Sequence, residues 1–145
     1  MSATRAAAWL AGVWAGLLAA LALIAAPSAF AVADRGIAGG IAARMFAQEA
    51  YAGVAIAVVL FLVLRAGARR AASAGRGSVL SADMLLVLGA LFCTVLGWFA
   101  VQPMMAAARA GQGSVSFAAL HGVSTVLYGV KALLVAVLAW RLAPR

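Results

Sequence analysis

Acidic residues are almost missing from this sequence: Asp34, Glu49 and Asp83 are the only three in 145 residues. With so few carboxylates, and those far apart, paired general acid–base chemistry is not expected. Histidine and cysteine occur once each, as His121 and Cys93. A lone cysteine excludes an internal disulfide and supplies no metal-ligand spacing. HExxH, P-loop, GxSxG and paired-cysteine motifs are all absent. The chain therefore reads as a non-enzyme without a metal site.

Charge of either sign is scarce. Only 10% of residues are charged and 68% are hydrophobic, against about 25% charged in an ordinary soluble domain. A chain this short leaves much of its surface exposed, so that apolar excess has no aqueous solution. Lipid removes the conflict. The net charge of +8 does not point to nucleic acid, because the basic residues lie between and beyond apolar runs and do not interleave with aromatics. The heavy use of Ala, and of Arg over Lys, fits a bacterial genome rich in G and C.

Four apolar runs stand out, over about 6–32, 46–64, 84–101 and 117–142. A membrane-crossing helix needs about 20 residues, so the expected fold is an all-α, four-helix transmembrane bundle forming one domain. The stretch "GIAGGIAARMF" ahead of the second run reads as an irregular or amphipathic piece at the interface. The Arg-rich link 65–83 reads as a mobile connector. Residues 31–33, Ala-Val-Ala, resemble a signal-peptidase site, but the run ahead of them exceeds the h-region of a signal peptide; we expect it to be kept as the first span. Gly12 and Gly16 give that span a GxxxG face suited to another helix, such as that of a second copy.

Lysine and arginine set an orientation. Arg5, Arg65, Arg69, Arg70, Arg76, Arg141 and Arg145 fall on one side, and Arg35, Arg44 and Arg109 on the other. Basic short loops stay in the cytoplasm, so both termini are expected inside, in a bacterial inner membrane. The two hairpins also share a short parallel pattern. A proline near the end of the first helix (Pro27, Pro103) is followed by a polar turn and a phenylalanine (Phe46, Phe117). A polar residue follows, Glu49 or His121.

The fourth run carries unusual cargo. Phe117, His121, Ser124, Tyr128 and Lys131 are spaced by four, three, four and three, which gathers them on one side of a helix. Ionisable groups in a membrane point into a bundle or a wet cavity, so this stripe is expected to face inward, with Leu127, Val130, Leu134 and Val137 toward lipid. Ser124, Tyr128 and His121 read first as packing groups. Lys131 has the strongest functional claim, because it lies too deep to reach the edge. Cys93 and Thr94 come to its depth, and no carboxylate is expected there. It is expected to sit neutral, to bond carbonyls or to line a polar cavity. Glu49, taken as the head of the second helix, is expected near the outer surface, paired with Arg109 or His121 or lining an outer vestibule.

These residues resemble a known family. Trp14-x-Gly16 early in the first helix, Pro27 and Phe30 at its end, and Pro103 with Arg109 after the third match its pattern, which closes with Phe117, Leu120, His121 and Ser124. The chain is similar to the membrane family of domain of unknown function 4149, whose eukaryotic relatives are called transmembrane protein 205. That resemblance implies a four-helix membrane protein without a defined activity. Where the family often has Asn, this chain has Tyr128. In architecture alone the chain is also similar to the copper-resistance D-type proteins and their haem-binding relatives. One histidine rules out bis-histidine haem in a monomer and leaves only a haem b shared between two copies of His121. Three functions are therefore carried forward: a bundle that binds or passes a small solute, ion or proton; a haem- or metal-associated redox protein using His121; and a membrane assembly subunit.

Overall fold

A computed structural model describes residues 3–144; Arg145, counted above in the charge asymmetry, lies outside the described residues. Four helices, each long and apolar enough to cross a membrane, run α1 (Ala3–Val32), α2 (Arg35–Ser73), α3 (Ala82–Arg109) and α4 (Phe117–Leu142). No strand occurs among the described residues. Each helix packs against the next and α4 returns to α1, so the bundle closes, with α2 and α4 facing each other across its diagonal. Both termini and the α2–α3 link share the terminal end. The α1–α2 and α3–α4 connections share the turn end.

Helix boundaries follow local chemistry. The Ser81 hydroxyl accepts from the Met84 amide at 3.3 Å and opens α3; the Ser116 hydroxyl does the same for Ala119 and opens α4. At the ends of α2 and α3, Gly75 and Gly111 take φ of 70° and 72°. The next amide in each case, Arg76 or Gln112, donates back to Ala71 or Ala107. This double closure satisfies carbonyls that a helix end leaves open, and it favours glycine at the left-handed position.

The second helix departs from expectation. The span 46–64 is the middle of a 39-residue helix that starts at Arg35, so "GIAGGIAARMF" is regular helix and the link is helical to Ser73. Nothing in that stretch forbids helix, because alanines offset its glycines and it contains no proline. Arg44 and Arg65 stand 21 residues apart on α2, about 31 Å at the helical rise. That matches the roughly 30 Å hydrocarbon layer, and α2 projects past it at both ends. The third helix likewise runs beyond 84–101, from Ala82 to Arg109.

Both prolines lie inside their helices. A wide π turn, over Leu21–Ala25 in α1 and Leu96–Val101 in α3, ends just ahead of Pro27 and Pro103. Proline has no amide hydrogen and its ring crowds the carbonyl one turn back; a wider turn makes room without breaking the helix. The likeness runs deeper. Buried Ala11, Trp14 and Leu18 stand 16, 13 and 9 residues before Pro27, and buried Val87, Ala90 and Thr94 stand 16, 13 and 9 before Pro103. The first and third helices thus present the same inward register.

The apolar core joins all four helices through Trp14, Leu18, Leu60, Val87, Val135 and Leu138. On α4 the outward face is Val123, Val126, Val130, Leu133, Val137 and Trp140. Two expected lipid-facing residues turn inward: Leu127 packs beside Val101, Met105 and Leu120, and Leu134 packs against the main core. The third helix, with Gly89 and Gly97, offers both leucines a groove.

Truncation should separate core from lipid face. Leu138→Ala should cost about 2–5 kcal/mol through cavity formation. Leu133→Ala, 65% exposed, should cost less than about 1 kcal/mol. Unfolding of the detergent-solubilised protein, followed by tryptophan fluorescence, measures both.

Candidate functional site: a buried ion pair on the bundle diagonal

Counted from its first residue, each of the diagonal helices brings a charge to the same place. Glu49 comes fourteen residues after Arg35, and Lys131 fourteen after Phe117, about 21 Å into each helix. Their side chains meet, with Lys131 Nζ donating to Glu49 Oε2 at 2.6 Å. Both are almost wholly enclosed, with 5% and 2% of their side-chain surfaces exposed. One turn nearer the turn end, Phe46 and Tyr128 hold a second matched pair of positions and pack edge to face, 5.2 Å between centroids.

Neighbouring helices complete the shell. From α1, the Trp14 indole nitrogen donates to Glu49 Oε1 at 3.2 Å. The Lys131 ammonium lies 4.7 Å from the centre of the Tyr128 ring, close enough for cation–π attraction. The Tyr128 hydroxyl donates to the Leu18 carbonyl at 2.9 Å, which ties α4 to α1. On α3, Cys93 and Thr94 are also buried, the latter donating to the Ala90 carbonyl at 2.9 Å. No buried side-chain nitrogen or oxygen among the described residues lacks a partner.

Gly53 makes the approach of Trp14 and Glu49 feasible. A Cβ at that position would lie 3.0 Å from Glu49 Oε1 and 3.3 Å from the Trp14 indole nitrogen. The sequence reading did not single out Gly53, and it named Trp14 only as a family residue. A small residue one turn after the sole carboxylate of an apolar run was the available signal.

Two expectations are corrected. Glu49 does not sit at the outer head of its helix and pairs with neither Arg109 nor His121, because α2 begins fourteen residues earlier and carries it into the bundle. Lys131, for which no carboxylate was expected, has this one. The same shift replaces the suggested repeat: the residue matched to Glu49 is Lys131, not His121, and the residue matched to Phe46 is Tyr128, not Phe117.

The other candidates gather at the turn end. The Arg109 guanidinium lies 4.6 Å from the centre of the Phe117 ring. The His121 ring stacks on the same phenylalanine at 5.8 Å, tilted by 13°. His121 and Arg109 are exposed and Ser124 is half-buried. Leu120, between them, is buried with Val101 and Met105. His121 lies ten residues, about 15 Å, nearer the turn end than Lys131, and the stripe on α4 is buried at Lys131 and exposed at His121. Pro27 and Phe30 lie exposed near the end of α1. Gly12 and Gly16 are also exposed, with open space where a side chain would go. No group of three or more metal-ligating side chains occurs among the described residues.

Removing one charge of an enclosed pair strands the other. Lys131→Leu alone should cost about 3–5 kcal/mol, whereas Glu49→Leu with Lys131→Leu should be near neutral or stabilising; paired unfolding curves give the comparison. Gly53→Ala should destabilise by about 1–3 kcal/mol, since the new methyl displaces the Trp14–Glu49 contact. Near-UV circular dichroism of Trp14 would follow that displacement.

Comparison with known proteins adds one result. Residues 9–114 match the family described as Domain of unknown function (DUF4149). No curated protein and no solved structure matches the chain. The matched stretch holds Trp14, Glu49, Gly53, Pro103 and Arg109 and stops before Phe117, so Lys131 and the Phe-x-x-Leu-His block fall beyond it. The match spans about three-quarters of the sequence and the first three membrane-crossing helices, and on that footing this multi-pass membrane protein belongs to the DUF4149 family.

Proposed function

We propose that this protein is a non-enzymatic component of a bacterial inner membrane, with both termini cytoplasmic, whose Glu49–Lys131 pair binds or passes a small ion, most directly a proton. The observation that carries this reading is the pair's enclosure within spanning helices. Ionisable residues at such depth are costly and read by default as functional groups on ion pathways or proton relays. A proton can move along the 2.6 Å hydrogen bond, with the N–H bond of Lys131 breaking as the O–H bond of Glu49 forms. Only hydrogen need shift. A proton gained by the pair would leave neutral Glu49 beside charged Lys131, and a proton lost would leave neutral Lys131 beside charged Glu49. Either ends the Coulomb attraction that ties α2 to α4, which gives the bundle a reason to relax when the site gains or loses a proton. Arginine asymmetry supports the orientation, with the Arg-rich terminal end inside.

The experiment uses proteoliposomes that trap a pH-sensitive dye under an imposed pH gradient. Wild-type protein should collapse the gradient faster than protein-free liposomes. Glu49→Leu with Lys131→Leu, folded by circular dichroism, should not. Equal rates for wild type and double variant would leave the pair as a fixed strut between helices.

The second reading is an assembly subunit, favoured by the outward placement of Gly12 and Gly16. Those glycines would seat a neighbouring helix, a second copy included, and Gly12→Leu with Gly16→Leu would then abolish cross-linking in membranes without unfolding the bundle. No cofactor is proposed. Purified protein should show no Soret absorbance; a Soret band lost in His121→Ala would replace both readings with haem held between two copies.

A further inference from the structure

The three carboxylates leave an imbalance that the fold sharpens. Glu49 is committed to Lys131, Asp83 is committed to Arg141 at 2.6 Å, and Asp34 stands in the α1–α2 turn at the opposite end. No acidic side chain is left for the arginines on the last turns of α2. Arg70 turns back on its own helix, its Nε donating to the Ala66 carbonyl at 3.2 Å. Arg65 and Arg69 do not. They stand four residues apart, on one face, both exposed and without a partner among the described residues, and they share a shallow, open stretch of that face with exposed Leu62 and Ala66.

The level of this face along α2 points to its occupant. Leu62, 56% exposed, lies on the membrane side of Arg65, which marks the edge of the hydrocarbon layer when Arg44 marks the other. Arg69 is one turn further out, among the headgroups. Ala66, between the arginines, leaves room for a phosphate to touch both guanidiniums while acyl chains lie along Leu62. Guanidinium suits phosphate oxygens through directed, charge-assisted bonds, and basic residues just beyond a spanning helix attract anionic lipid. Two fixed positive charges favour a headgroup without an ammonium of its own.

We infer that the Arg65–Arg69 face of α2 is a binding site for one anionic phospholipid, held through its phosphodiester. The inference rests on the bilayer-spanning reading and not on the role of the central ion pair, so Glu49→Leu with Lys131→Leu should leave lipid binding unchanged whatever that variant does to proton flux.

Native mass spectrometry of the full chain in mild detergent tests it, with phosphatidylglycerol and phosphatidylcholine of identical acyl chains as probes. Wild type should retain phosphatidylglycerol and release phosphatidylcholine. Arg65→Gln with Arg69→Gln should weaken phosphatidylglycerol binding roughly thirtyfold, while Arg76→Gln, in the turn beyond, should change it less than about twofold. Arg65→Lys with Arg69→Lys keeps the charge without the forked donors, so it should bind phosphatidylglycerol less tightly than wild type and more tightly than the double glutamine variant. Equal retention of the two lipids by wild type overturns the inference, and that comparison needs no variant. So does undiminished phosphatidylglycerol binding in the folded double glutamine variant. Displacement of the lipid by inorganic phosphate alone at equal concentration also overturns it, because the site would then belong to a free anion.

Discussion

The packing of this bundle depends on one charge neutralised by another, almost wholly enclosed between the helices. A lone ammonium or carboxylate at that depth would be costly, so the pair favours one relative height of α2 and α4, and with it one register of the bundle. Trp14 and Tyr128 then bind α1 to the same layer, one through Glu49 and the other through the Leu18 carbonyl. A set of helices with nearly uniform apolar surfaces has many ways to slide. This layer removes most of them, much as a single buried polar residue selects register in a coiled coil.

The two hairpins are built alike, and the likeness explains where the pair sits. The first and third helices share a π turn ahead of proline and the same buried positions. The second and fourth share the distance from helix start to Glu49 and Lys131. Parallel repeats of this kind place equivalent residues of the two halves face to face near the centre. Identical residues there would bring like charges together. A carboxylate on one half and an ammonium on the other turn that meeting into an attraction, and they make the halves chemically distinct at a layer where they touch across the diagonal.

Charge elsewhere obeys the same economy. The second ion pair, Asp83 with Arg141, holds α3 to α4 at the terminal end, half in solvent, where such a pair contributes about 0–1 kcal/mol. At the turn end no carboxylate enters the cluster; Phe117 mediates between Arg109 and His121 through its ring. The buried pair is thus the strong ionic contact, and the exposed cations of the turn end are held on an aromatic ring.

Composition and apolar run length alone determined that this is an all-helical, four-span membrane protein, since continuous apolar runs of that length satisfy their backbone in lipid as helices, whereas barrel strands are shorter and alternate. The 3–4 spacing on the last helix also determined that Lys131 turns inward. Sequence could not supply the carboxylate that meets it. Periodicity gives the direction of a side chain around its own helix, but depth depends on where that helix begins. Read from Phe46, Glu49 belongs at the surface; read from Arg35, it belongs beside Lys131. The diagonal adjacency of α2 and α4, the clearance at Gly53 and the outward turn of His121 were decided only by packing, because each depends on how four helices share one axis and not on any of them alone.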